Sequence, residues 1–139
     1  MKTVAGTPLS VLITDDDRDS RETLREIVEP EGFRTLLASC GEEAVEIVRE
    51  APVHLALMDF HMPRMTGLET LQLVHQINEV LPVILVTADA REDIVRQAFN
   101  MRAYSVIPKP VSKNILLYTM IRALMRAYGS LLREEEQHP

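Results

Sequence analysis

Five short β-prone runs recur along this chain, and each is followed by a stretch whose apolar residues return at helical spacing. The runs cover residues 9–14, 33–38, 53–58, 82–87 and 103–108. The helical stretches cover 18–29, 41–51, 66–80 and 91–101, and a last one runs from Lys113 well past Arg126. Asp17 or Asp19, Thr66 and Ser112 stand where helix caps are expected, and Pro30 with Gly32 ends the first helix. Strict strand–helix alternation with short loops implies a parallel sheet covered by helices on both faces. Its crossovers are right-handed.

The expected fold is therefore α/β, a doubly wound five-stranded parallel sheet with five helices and an extended last helix. The flavodoxin-like strand order 2-1-3-4-5 puts its ligand site beyond the carboxyl ends of the strands. Inward-facing residues are expected to be Leu24, Ile27 and Val28 in the first helix, and Ala44, Val45, Ile47 and Val48 in the second. In the third they are Leu68, Leu71, Val74 and Ile77, and in the fourth Ile94, Val95 and Ala98.

The middle run, Val53-His-Leu-Ala-Leu-Met58, ends abruptly on Asp59, and a turn marked by Pro63 and Gly67 follows. Asp15 and Asp16 close the first run, Thr87 closes the fourth, and Lys109 follows the fifth. In a parallel sheet all of them lie on one edge. Three clustered carboxylates repel one another and would raise each other's pKa unless positive charge joins them. Lys109 supplies one charge. A divalent cation supplies two, and clustered hard oxygens favour Mg²⁺ or Mn²⁺. Such a site accepts an anionic phosphoryl group. Asp59, being central, is the candidate nucleophile, with Thr87 as a hydrogen-bond donor and Lys109 as a counter-charge.

Composition narrows the function further. The chain has 139 residues, enough for one domain with a real core, and 46% of them are hydrophobic. Aromatics are 4%, without tryptophan, which disfavours a base-stacking platform. The formal charge is −6, from 21 acidic and 15 basic residues, which disfavours direct nucleic-acid binding. Cys40 is the only cysteine, which suits a reducing cytoplasm. Residues 1–8 lack the apolar core of a signal peptide, and no apolar run approaches the ~20 residues of a membrane span.

Four pieces carry a resemblance: Val11-Leu-Ile-Thr-Asp-Asp-Asp17, Leu57-Met-Asp-Phe-His-Met-Pro63 with Gly67, Val83-Ile-Leu-Val-Thr-Ala88, and Ile107-Pro-Lys-Pro110. Together they resemble the receiver domain of the response regulators of two-component signalling, the CheY-like family, over about residues 9–124. The resemblance implies that Asp59 is phosphorylated by a histidine kinase, a phosphotransfer protein or a small phosphodonor. It implies Mg²⁺ held by Asp16 directly, by Asp15 through water, by Asp59 and by the backbone carbonyl of His61. Thr87 would bond a phosphoryl oxygen, and Lys109 would pair with Asp59 and then with the phosphate. The Lys109–Pro110 bond is usually cis in the family. A downstream protein or an effector domain would read the switch. The implied division is a disordered arm over 1–8, a receiver domain over 9–128, and a charged helical extension or tail over 129–139.

The chain departs from the family pattern at several positions. Val106 stands three before the lysine, where the family has an aromatic residue whose rotation reports phosphorylation. Tyr104 lies two earlier and is expected on the same side of the strand. Arg102-Ala103 replaces the usual Gly-Ala. His61 and Asp89 occupy the positions that tune dephosphorylation.

Competing readings weigh less. Asp15, Asp17, Asp19 and Glu26 match a calcium loop in spacing, but Ser20 replaces the required glycine and a strand precedes it. Asp15-x-Asp17 resembles the haloacid-dehalogenase phosphatases, yet Asp19 breaks that motif. A receiver-like scaffold that works without phosphate is the alternative function. His54 and His75 read as surface or half-buried residues, and Cys40 as structural. In the last helix Leu117, Ile121, Leu124, Tyr128 and Leu131 form a heptad stripe, widened by Ile115, Leu116, Met120 and Met125. That stripe either folds against its own domain or frays past Gly129, or else pairs with a second copy or leads into an effector.

Overall fold

The computed structural model describes residues 3–4 and 6–133. In chain order the elements are β1 (Thr3–Val4), β2 (Thr7–Pro8), β3 (Ser10–Thr14), α1 (Arg18–Val28), β4 (Arg34–Ala38) and α2 (Gly41–Glu50). There follow β5 (Leu55–Asp59), α3 (Gly67–Ile77), β6 (Val83–Thr87), α4 (Glu92–Asn100), β7 (Ser105–Pro108), α5 (Lys113–Tyr128) and β8 (Leu132–Arg133). Strands β4-β3-β5-β6-β7 form one parallel sheet, which is the order 2-1-3-4-5 among the five parallel strands. The doubly wound α/β fold expected from the alternation is the fold observed.

Period-two alternation decides which helices each strand residue meets. Leu12, Ala56, Met58, Val83 and Leu85 point to the face covered by α2, α3 and α4, where Ala44, Val48, Leu71, Val74, Ile94 and Ala98 meet them. Val11, Ile13, Leu55, Leu57 and Ile84 point to the other face and pack on Leu24 and Val28 of α1 and Leu116, Met120 and Leu124 of α5. Residues of β3, β5 and β6 are buried on both faces, so these strands read as unbroken apolar runs. Each fully buried Leu or Ile contributes roughly 1.5–3 kcal/mol of transfer free energy.

Capping fixes where α3 starts. The Thr66 side chain accepts from the Glu69 backbone N–H at 3.2 Å, and Glu69 Oε1 accepts from the Thr66 N–H at 3.0 Å. This reciprocal pair satisfies two helix-end donors. Thr66→Ala is expected to lower the unfolding free energy by about 1 kcal/mol, read as a lower urea midpoint. An unchanged midpoint would show that the cap contributes nothing.

Several expectations are corrected. The third helix ends at Ile77 rather than near residue 80, because Asn78 leaves the helical conformation and its side chain accepts from the Val80 N–H. Ile77, expected inside, is exposed. Its place is taken by Thr70 and by His75, which is buried rather than half-exposed and bonds the Leu81 carbonyl through Nε2 at 2.9 Å. Tyr104 and Val106 face opposite sides: Val106 packs with the α2–α4 face and Tyr104 with the α1–α5 face. Tyr104 lies in a bend just before β7 begins at Ser105, so strand alternation does not reach it. Within residues 1–8, expected as a disordered arm, β1 pairs antiparallel with β2 and with β8. Strand β8 falls within the expected helical tail. Residues 134–139 lie outside the described residues.

Candidate functional site

Strand register assembles the site. Thr14 is opposite Met58, so Asp15, the next residue, stands level with Asp59. Asp59 is opposite Val86, and Thr87 is opposite Pro108. The strand ends of β3, β5, β6 and β7 therefore deliver Asp15, Asp59, Thr87 and Lys109 to one edge. The turn after β5 is tied back by the Phe60 N–H on the Val86 carbonyl and the Gly67 N–H on the Phe60 carbonyl, each at 2.9 Å. The Lys109–Pro110 peptide is cis.

The carboxylates converge. One oxygen from each of Asp15, Asp16 and Asp59 lies within 4.8 Å of the others. Asp15 is fully buried and Asp59 is 7% exposed, whereas Asp16 is exposed. Lys109 Nζ is 3.0 Å from Asp15 Oδ2 and 3.6 Å from Asp59 Oδ2. Desolvation pushes the Asp59 carboxyl up to about 6, and the charge of Asp15 adds to this. Lys109 and the His61 N–H, 3.3 Å from Asp59 Oδ1, act in the opposite direction. Burial works against the charged form of Lys109, but the hydrogen bond to Asp15 and the nearby carboxylates outweigh it, so its pKa lies above the ordinary value.

This donor set fits a hard divalent cation. Three carboxylates supply oxygen ligands, and the exposure of Asp16 leaves room for water to complete the shell. His61 is exposed, with its ring edge-on to Phe60. Thr87 reaches the same edge but is engaged elsewhere: its hydroxyl accepts from the Asp89 N–H at 3.0 Å and donates to the Asp89 carbonyl at 3.2 Å. Asp89 in turn is held by Arg91 Nε at 2.8 and 3.0 Å.

Two neighbours escaped the reading of the sequence. Ser20 Oγ accepts from Lys109 Nζ at 3.3 Å, and Arg21 Nη1 donates to the Asp15 carbonyl at 2.7 Å. Both lie in the first turns of α1, five and six residues beyond Asp15. Helical geometry turns that stretch back over the strand end, and this spacing was the only available signal.

Comparison with known proteins agrees with the geometry. The family described as the response regulator receiver domain matches residues 11–121. Response regulator RR06 of Streptococcus pneumoniae is 33% identical over 120 residues, 86% of this chain and 54% of that protein. This chain thus spans about half the length of that relative. A CheY-like receiver domain from Methanospirillum hungatei superposes with a TM-score of 0.83 at 28% identity, covering 88% of this chain and 98% of the other. A chain of the CheX–CheY–BeF₃–Mg²⁺ complex of Borrelia burgdorferi gives 0.79 at 29% identity, covering 84% of this chain and 90% of that one. With four strand ends presenting one acidic cluster, its lysine and Thr87, and with the family match running through nearly all of the sheet, the chain belongs to the response regulator receiver domains.

Proposed function

We propose that this chain is a Mg²⁺-dependent phosphoacceptor switch whose acceptor is Asp59. The observation that carries the reading is the meeting of Asp15, Asp16 and Asp59 with Lys109 at one sheet edge. The donor is a histidine kinase or a phosphotransfer protein. An Asp59 carboxylate oxygen attacks phosphorus, a P–O bond forms, and the P–N bond breaks with its electron pair passing to the imidazole nitrogen. Asp15, Asp16, Asp59 and the His61 carbonyl would hold Mg²⁺ or Mn²⁺, which supplies neutralising charge for the phosphoryl oxygens. Lys109 moves its ion pair from Asp59 to a phosphoryl oxygen. Thr87 exchanges its bond to Asp89 for one to another oxygen, drawing the loop after β6 inward. That shift changes the populations of two loop arrangements and leaves the fold intact.

The same residues assist loss of the phosphate to water, so the chain promotes its own phosphorylation and dephosphorylation and acts on no external metabolite. The reading places it in the cytoplasm as a unit over residues 9–128. Among the described residues no helix is long and apolar enough to cross a membrane.

The test is incubation with acetyl phosphate and Mg²⁺, followed by intact-mass measurement. One phosphate adduct is expected, and none when EDTA removes the metal. No adduct, with partner binding intact, would favour a scaffold that works without phosphate.

For self-association, α5 offers only part of the heptad stripe, Ile121, together with residues beside it. Leu124 is buried and Leu117 and Tyr128 are half-buried against their own domain, while Ile115, Tyr118, Ile121 and Met125 are exposed. These four are the contact offered to a second copy or to the downstream protein. Light scattering at high concentration, with and without a phosphate mimic, is expected to show a dimer with the mimic. A monomer in both would remove the self-association reading.

A further inference from the structure

We propose that Ser20 is a positioning residue for Lys109: its hydroxyl fixes the ammonium so that the remaining N–H faces Asp59, and so sets how fast Asp59 accepts a phosphoryl group. Four residues close a ring of hydrogen bonds. Asp15 Oδ2 accepts from Lys109 Nζ at 3.0 Å, and Asp15 Oδ1 accepts from the Asp17 N–H at 2.9 Å. Asp17 Oδ2 accepts from the Ser20 N–H at 2.9 Å, and Ser20 Oγ accepts from Lys109 Nζ at 3.3 Å. The ring ties three parts of the chain together: the end of β3, the start of α1 and the loop after β7.

A lysine ammonium is a rotating point charge with three donors on a flexible stem. One acceptor leaves it free to swing about that contact. Two acceptors, Asp15 and Ser20, leave one N–H to aim, and Asp59 Oδ2 is 3.6 Å away. At that distance Lys109 attracts the Asp59 carboxylate without a close hydrogen bond to it, so the carboxylate oxygens stay available for the incoming phosphorus. Lys109 and Ser20 also border a cavity of about 550 Å³ shared with Thr23, Leu24, Pro110 and Val111. Movement of an unanchored ammonium into that space is therefore open to it.

The side chain of Ser20 is not needed for the helix. The cap bond to Asp17 uses the backbone N–H of Ser20, which alanine keeps, and alanine is the better helix former. A slowed Ser20→Ala variant would therefore not be slow through loss of α1.

The kinetic half of the inference rests on the phosphoacceptor reading, and the spectroscopic half does not. With acetyl phosphate and Mg²⁺, Ser20→Ala is expected to form the adduct about threefold to tenfold more slowly, and Ser20→Thr to stay within about twofold of the parent. In a Lys109→Ala background Ser20→Ala should slow nothing further. In metal-free protein the Lys109 ammonium ¹⁵N signal should show slowly exchanging protons, and Ser20→Ala should lose them. An unchanged rate, equal slowing without Lys109, or an unchanged ammonium signal would each overturn the assignment. A parent protein that takes no phosphate would defeat the phosphoacceptor reading, and the ammonium spectrum would still decide whether Ser20 holds Lys109.

Discussion

Asp59→Asn is expected to abolish the phosphate adduct and, at pH 8, to make the domain more stable. The first effect follows from removing the nucleophile. The second follows from electrostatics. Asp59 is 7% exposed, beside Asp15 and Asp16, and its carboxyl is raised from 3.8 to about 6, first by desolvation and then by Asp15. The folded state therefore holds a proton that the unfolded chain gives up between those values. The contribution of this group to stability is fullest below about pH 4, falls as pH rises through about 6, and is level beyond. A shift of about two units corresponds to an upper bound of about 3 kcal/mol. Asparagine also deprives Lys109 of an ion-pair partner, so the expected gain at pH 8 is about 1–2 kcal/mol. Below pH 4 the two proteins should converge. Urea unfolding at pH 8, 6 and 4 in EDTA measures the difference. An asparagine variant less stable at pH 8 would mean that Lys109 compensates the cluster fully. Added Mg²⁺ should stabilise the parent more than the variant, because a cation offsets the same repulsion.

Gly67→Ala should have the largest effect of any single methyl added near the site. Gly67 opens α3, and its amide bonds the Phe60 carbonyl. A Cβ there would fall inside the contact shell of the Asp59 carbonyl and lie 2.9 Å from Phe60 Cα. Both obstacles are backbone, which cannot swing aside as a side chain can. The turn must shift, and with it the carbonyl end of β5 that carries the acceptor. A loss of about 2–3 kcal/mol is expected, with slower adduct formation in the folded fraction. Gly41→Ala is the control. Its Cβ would press closest on the Thr70 hydroxyl, which must turn from the Thr66 carbonyl, and next on the flexible Met65. Both obstacles are side chains, so the backbone can stay in place. Its cost should be about 1 kcal/mol. Equal urea midpoints for the two variants would contradict the backbone argument.

The chain's pattern carried much of its own architecture. Leu12, Leu57 and Leu85 are apolar, and so are the residues on either side of each in its strand. A strand buried on both faces needs that, so their burial was legible from composition and period alone. Asp59 and Lys109 were legible as well, because a charge that ends an apolar run is costly unless something answers it. Other positions were not legible. His75 carries a polar ring, and only the carbonyl of Leu81, brought near where α3 stops short, makes its burial acceptable. Tyr104 reads as part of the fifth strand, but that strand begins only at Ser105, and the bend before it leaves Tyr104 on the opposite face from Val106.

By itself, the sequence determined the five strand–helix repeats, the sheet they form and the strand ends at which charge collects, since periodicity and burial act on neighbouring residues. The tertiary structure alone decided which of those groups touch. It placed Ser20 and Arg21 against the site, bound Thr87 to its own loop, packed Leu117, Leu124 and Tyr128 of the α5 stripe inward and turned Ile115, Tyr118, Ile121 and Met125 outward. Those outcomes depend on strand register and helix rotation, which are set where separate elements pack together, and no window along the chain contains both partners.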